Sequence, residues 1–167
     1  MKFKTIKSKS ISYGKKRSYD SIKYIVVHYT ANKNDTAKAN ANYYANGNTH
    51  NAGAHYYVDE GDTIYKSVPL NRVAWSVGGN KYNDCAKTGG GKLYKQVCNS
   101  NSLSIEMCNS STKNDRVEQN TLWLIRFLMK KYGIQKSNVV RHFDVTGKHC
   151  PVTLMNDKEW KEFKSRI

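Results

Sequence analysis

The run Lys-Tyr-Ile-Val-Val-His-Tyr-Thr (23–30) constrains the fold more than any other stretch of the chain. It is apolar and β-branched at nearly every position, the signature of a strand buried on both faces. Such a strand must lie inside a sheet that other elements cover. Ser-Leu-Ser-Ile-Glu-Met-Cys-Asn (102–109) has the same character, and Asn-Val-Val-Arg-His-Phe-Asp (138–144) predicts a short strand running into a loop. Residues 54–68 read as a hairpin around Glu60, Gly61 and Asp62. Helical stretches separate these strands. Asn34 or Asp35 can cap an Ala-rich helix ended by Gly47. Asp115, with Glu118 three residues on, predicts a capped helix. Val117, Thr121, Leu124 and Leu128 form its apolar stripe, widened by Leu122, Ile125 and Met129. That helix ends near Gly133, with Lys130 and Lys131 in the last turn where they suit its dipole. Asn156 and Glu159 open a short C-terminal helix. Strands alternating with helices predict an α/β fold, a central mixed β-sheet flanked by α-helices.

The length of 167 residues fits one domain. Residues 1–21 read as a basic, mostly irregular lead-in and 22–167 as the folded domain. Residues 77–102, rich in Gly and Asn, read as a long loop, and such loops are usually functional or disordered. No apolar run approaches the length of about 18 residues that spans a bilayer, so a membrane-spanning protein is excluded. The first seventeen residues carry six Lys, Arg17 and no acid. They lack the apolar segment and small-residue cleavage site of a secretory signal peptide. Over the whole chain 28 Lys and Arg face 13 Asp and Glu, a net charge of +15. That balance suits an anionic partner (nucleic acid, lipid or a wall phosphate polymer), or simply a well-solvated surface. Zinc-finger spacings, ribonucleoprotein aromatics and a helix-turn-helix pattern are all missing, so nucleic acid is not expected.

The four cysteines form no CxxC pair, and without a signal peptide the default is reduced thiols. Cys85 and Cys98 flank a Gly-rich segment and could close a loop in an oxidising medium. Cys108 reads as a small buried hydrophobe. Cys150 differs because of its company. It follows His142 by eight positions, across a turn containing Gly147. His28 stands at the end of the most apolar strand, where an imidazole is either satisfied by the core or recruited by a metal. Brought together, the three would give a His, His, Cys site. Imidazole and thiolate are preferred zinc donors, and three protein ligands leave a fourth position open.

His28 in YIVVHYT, the segment AHYYVDEGDTIY, AW followed by a Gly pair, SLSIEM and RHFDVTGKHCP occur in that order between about residues 22 and 155. They resemble the zinc-dependent N-acetylmuramoyl-L-alanine amidases of the type-2 class, whose fold is shared with the peptidoglycan recognition proteins. The bacteriophage and prophage endolysin branch is most similar. The resemblance implies hydrolysis of bacterial peptidoglycan between N-acetylmuramic acid and the L-alanine of the stem peptide. It implies zinc on His28, His142 and Cys150, with Glu106 as the catalytic glutamate and Lys148 as the lysine that steadies the reacting oxygen. A monomer is expected, and the missing signal peptide predicts synthesis in the bacterial cytoplasm with action on the wall after release. The basic N-terminus would then hold anionic wall polymers. A non-catalytic peptidoglycan-binding protein on the same scaffold is the alternative.

The chemistry agrees with that assignment. An amide resists water, so hydrolysis needs an activated nucleophile and a polarised carbonyl, both of which zinc supplies. Glu106 can relay the proton and Lys148 can stabilise an oxyanion. The pattern also departs from some relatives. Ala54 stands where they carry Tyr, and Ser76 follows Trp75 where many carry His. His55 is therefore a candidate for substrate contact, as are Trp75, Tyr29 and Asn32. A hydrogen-bonded structural His and a core Trp are the competing readings of the first two. His50 and His149 are expected to face solvent or support the site from behind.

Overall fold

The computed structural model describes residues 1–167. Eight strands occur in chain order: β1 (Lys2–Thr5), β2 (Tyr13–Lys16), β3 (Tyr24–Tyr29), β4 (Tyr56–Val58), β5 (Thr63–Lys66), β6 (Arg72–Ala74), β7 (Ser102–Met107) and β8 (Val139–Arg141). Five helices accompany them: α1 (Ala37–Asn42), α2 (Cys85–Thr88), α3 (Asp115–Tyr132), α4 (His142–Thr146) and α5 (Asp157–Ser165). The main sheet has the order β1-β5-β4-β7-β3-β8, and β2 pairs with β6 in a small second sheet. The β4–β5 hairpin is antiparallel, while β4, β7, β3 and β8 run parallel. This is the mixed sheet the sequence predicts. None of the helices is long and apolar enough to cross a membrane.

β3 lies between β7 and β8 and is covered on both faces. Ile25 and Val27 join the larger core, with Leu103, Ile105, Met107 and Val139. Val117, Leu124, Ile125 and Leu128 of α3 and Trp160 and Phe163 of α5 cover that face. On the other face Val26 meets Val77, Val97, Val140 and Val145. Side chains alternate along a strand, so His28 falls on this second face, away from α3. Glu106 is its register partner on β7, and Tyr57 on β4 is in register with Glu106. Tyr57, Glu106 and His28 thus form one row across three strands.

Several local expectations need correction. The lead-in is not mostly irregular. β1 extends the main sheet by pairing with β5, and β2 pairs with β6. Arg17 anchors the segment by donating to the carbonyls of Leu70, Asn99 and Ser102. These partners are 53 to 85 residues away, so nothing local announces the pairing. α1 is capped by Thr36, whose hydroxyl accepts from Ala39 N–H at 3.1 Å, rather than by Asn34 or Asp35. It then widens into a π turn over Tyr43–Gly47. α3 begins one residue early because the Asn114 carboxamide accepts from Val117 N–H. Glu118, freed of the capping role, is buried and pairs with Arg166. Gly133 ends α3 in the left-handed conformation, as its position predicts. All four cysteines are free: Cys85 is buried with its thiol against the Thr146 carbonyl, Cys98 lies beside Ser100, and Cys108 is fully buried.

Candidate active site

The parallel strands bring their C-terminal ends to one edge of the sheet, the position where open α/β sheets bind ligands. β3 delivers His28 there and β7 delivers Glu106 beside it. β8 delivers His142, but not into a loop. The Asp144 carboxylate accepts from the Arg141 N–H at 2.8 Å and from the Arg141 guanidinium at 2.7 Å, so the chain turns directly into α4 at His142. Arg141 is buried and also donates to the carbonyls of Leu154 and Met155 at 2.9 and 2.8 Å. Gly147, at φ +84°, ends α4, a conformation that glycine adopts without steric cost. The chain then folds back until Phe143 N–H donates to the Cys150 carbonyl at 2.9 Å. That return closes the interval between His142 and Cys150.

The three predicted ligands converge. His28 Nδ1 and His142 Nδ1 are 3.0 Å apart, and Cys150 Sγ is 3.9 Å from His28 Nδ1. All three donor atoms lie within 4.8 Å of one another, on buried residues. Tetrahedral zinc, at about 2.0–2.1 Å from nitrogen and 2.3 Å from sulfur, would set such donors about 3.3–3.6 Å apart. The donor set and spacing therefore fit one zinc-sized ion. The charge states fit as well, because metal ligation needs neutral imidazoles. Burial first, then Lys148, holds His142 neutral down to about 3. Burial, His142 and Lys148 push His28 well below the ordinary imidazole range. The Cys150 thiol is pushed up to about 12 by burial and by Glu106, so loading a metal must release its proton.

Glu106 borders this cluster. Burial raises its carboxyl to about 7, with Asp35 adding to the rise and Lys148 opposing it. Its Oε2 is buried and has no protein partner. A buried carboxylate oxygen without a donor is costly, so this atom is suited to a proton brought by water or substrate. Two clefts meet here. One, of about 470 Å³, is lined by Tyr29, Asn32, Asp35, Tyr43, Glu106 and Lys148 among others. The second, of about 670 Å³, is lined by Trp75, Gly78, Gly79, Lys81, His142 and Lys148 among others. Lys148 belongs to both, so it stands at their junction.

Eight of the nine residues singled out in the sequence thus come to one place. His55 does not. It is 1 % exposed and lies outside both clefts. Its Nε2 is 2.8 Å from Arg17 Nη2 and its Nδ1 is 2.9 Å from Ser104 Oγ. It ties the N-terminal segment to β7, which is the structural reading of this histidine. His50 is exposed, and His149 pairs at 3.2 Å with Asp84 near the surface.

Sequence reasoning missed Asp35. Its carboxylate gathers the cleft wall, accepting from Asn32 Nδ2 at 3.4 Å, Asn40 Nδ2 at 2.6 Å and Asn109 N–H. Ala31 and Asn34 beside it and Asn109 opposite all have positive φ, a conformation that costs energy in non-glycine residues and clusters at functional sites. The run Ala-Asn-Lys-Asn-Asp after a buried strand was the available signal. Tyr43 and Tyr44 line the same cleft.

Fold and site together define an α/β domain with a metal-capable His–His–Cys centre at the carboxyl edge of its parallel strands. The chain belongs to the N-acetylmuramoyl-L-alanine amidase family, whose sequence profile matches residues 18–153. It is 34% identical over 157 residues to the N-acetylmuramoyl-L-alanine amidase BlyA of Bacillus subtilis (strain 168), covering 87% of this chain and 41% of BlyA. The chain thus spans about two fifths of that protein's length. The structure is similar to the catalytic domain of XlyA, with a TM-score of 0.77 and 29% identity over 100% of this chain and 99% of that one. A mutant endolysin from Bacillus subtilis gives a TM-score of 0.76 and 30% identity, covering 100% and 99% of the two chains.

Proposed function

We propose that this chain is a zinc-dependent amidase that cleaves peptidoglycan between the lactyl group of N-acetylmuramic acid and the L-alanine of the stem peptide. The observation that carries this reading is the meeting of two neutral imidazoles and a thiol beside Glu106 and Lys148, at the junction of two clefts. His28, His142 and Cys150 would hold the ion. When bound, zinc supplies Lewis acidity and an activated water. Glu106 accepts the proton of the attacking water and passes it to the leaving amine of L-alanine. A carboxyl near 7 suits both transfers at neutral pH. Lys148 places a fixed cation beside the oxygen that gains negative charge as the carbonyl becomes tetrahedral, a contribution of about 10²–10³ in rate for one donor in other enzymes. A protein that only bound peptidoglycan would need the clefts but not a buried carboxylate with a free oxygen.

The kinship with named amidases and with an endolysin supports a role in host cell lysis, acting on the wall after release from the cell. The working unit in this reading is a monomer. Lys2, Lys4, Lys7, Lys9, Lys15 and Lys16 are exposed along the N-terminal segment and would hold anionic wall polymers. Because β1 belongs to the sheet, that role is tested by charge rather than by deletion. Replacing Lys4, Lys7, Lys9, Lys15 and Lys16 by Gln should weaken binding to walls at low salt, with the difference closing as salt screens it. Equal binding at every salt concentration would refute the role.

The activity is tested by digesting purified peptidoglycan with wild type and Glu106→Ala. Wild type should free alanine amino termini and the variant should not. New reducing sugar ends would instead mean a glycosidase and overturn the reading.

A further inference from the structure

Residues 84–93, which hold α2 and the glycine triplet 89–91, line neither cleft. They pack instead on the turn that leads from α4 to Lys148 and Cys150. Tyr82 N–H donates to the Thr146 carbonyl at 2.8 Å, Gly91 N–H to that of Phe143 at 2.9 Å and Leu93 N–H to that of Asp144 at 2.8 Å. The last four carbonyls of a helix have no partner inside it, so this segment supplies donors that the five residues of α4 lack. Asp84 adds its pair with His149.

Cys85 fills the contact. The residue is buried and its Sγ lies 3.5 Å from the Thr146 carbonyl. A Cβ on Gly147 would run into that sulfur, and one on Gly91 would come within 2.9 Å of it. The thiol thus packs directly on two glycine backbones, one from its own segment and one from the turn. Gly90 makes a second close approach. A Cβ there would come within 2.6 Å of the Phe143 ring and 2.8 Å of Gly147 Cα. The triplet lets the two backbones meet, and in so dense a contact a change of one small group is felt by the neighbour.

We propose that Cys85 is a positioning residue for the reaction. Its thiol sets the distance between segment 84–93 and the turn at Gly147. Through that turn it sets the place of Lys148 and Cys150, one and three residues on. Cys85 belongs to neither the donor cluster nor the clefts, so it acts through the backbone it holds. The inference rests on the amidase reading for the reaction that is served.

The test compares Cys85→Ala and Cys85→Ser with Asn114→Ala, which uncaps α3 instead. Zinc affinity is read by competition with a chromophoric chelator, and kcat and KM are read on a soluble muramoyl peptide. Cys85→Ala should weaken zinc binding about tenfold and lower kcat about tenfold, with KM within about twofold, because a small displacement of a ligand or of the lysine costs that much. Cys85→Ser keeps a small polar group against the Thr146 carbonyl and should stay within about threefold of wild type in zinc affinity and kcat. Asn114→Ala should lose stability to urea yet bind zinc and turn over as wild type does. Gly90→Ala displaces the same turn from a second residue and should share the Cys85→Ala pattern, so it carries the test if Cys85→Ala does not fold. Wild-type zinc affinity and kcat in both of these variants, or an equal loss in Asn114→Ala, would overturn the role. Wild-type amine release with zinc affinity untouched by either variant sinks the role alone. A loss of zinc affinity in both variants, in a protein whose wild type releases no amine, sinks the amidase reading and leaves the role standing. A wild type that binds no zinc overturns both.

Discussion

On β7, Glu106 points to the same face as His28 on β3, and one of its oxygens meets no protein donor. Glu106→Gln keeps the shape and removes the exchangeable proton. Amine release from peptidoglycan should fall about 10²–10⁴-fold, while the thermal midpoint holds or rises because a buried carboxyl has been neutralised. A fully active variant would take Glu106 out of the reaction. At the same scale His55 carries a pH prediction. Burial and the neighbouring Arg17 hold it neutral down to about 3. The unfolded chain takes up that proton near the ordinary imidazole pKa of about 6.5. Stability is therefore unaffected above about 6.5 and declines as pH falls towards about 3, by about 1.4 kcal/mol per pH unit for this group. Urea denaturation of wild type and His55→Gln across that window checks it. The variant should lose less stability per pH unit, and parallel curves would contradict the assignment. The His28, His142 and Cys150 cluster was legible from residue types in order along the chain. His55 was not, because its role depends on Arg17, 38 residues away.

Among elements, β3, β7 and α3 were legible because burial imposes a period on their side chains that sequence alone displays. The N-terminal strand was not. Lys2 and Lys4 flank Phe3, but so many cations read as a solvated tail, and only the distant edge of β5 makes β1 a strand. Gly14 adds a second long-range dependence. A Cβ there would come within 2.5 Å of the Trp75 ring, so the lead-in backs the wall of one cleft. Removing residues 1–17 should therefore lower the thermal midpoint and reduce activity together, as read by circular dichroism and amine release. A deletion variant with unchanged melting would restore the picture of an appended tail. α4 escaped detection for a different reason: five residues are too few to show a helical period. Asn114 gives a cleaner test of element stability, since only its side chain caps α3 at the start. Asn114→Ala should cost about 1 kcal/mol in chemical denaturation. Asp115→Ala, at the cap the sequence suggested, should cost less.

For the whole molecule, the sheet is a device for bringing distant residues to one edge. His28 and Cys150 are 122 positions apart, and only β3, β8 and the return after α4 bring them together. Ligation of an ion there must stabilise the folded chain by mass action, since the unfolded chain scatters its donors. Chelation should therefore lower the thermal midpoint of the wild type and leave that of Cys150→Ala nearly unchanged. The most direct measurement is zinc-edge X-ray absorption on the purified protein with its zinc content. The account predicts one zinc per chain, one sulfur at about 2.3 Å, two imidazole nitrogens at about 2.0–2.1 Å and one further light donor from solvent. No stoichiometric zinc, a shell without sulfur, or a shell closed by four protein donors would contradict it.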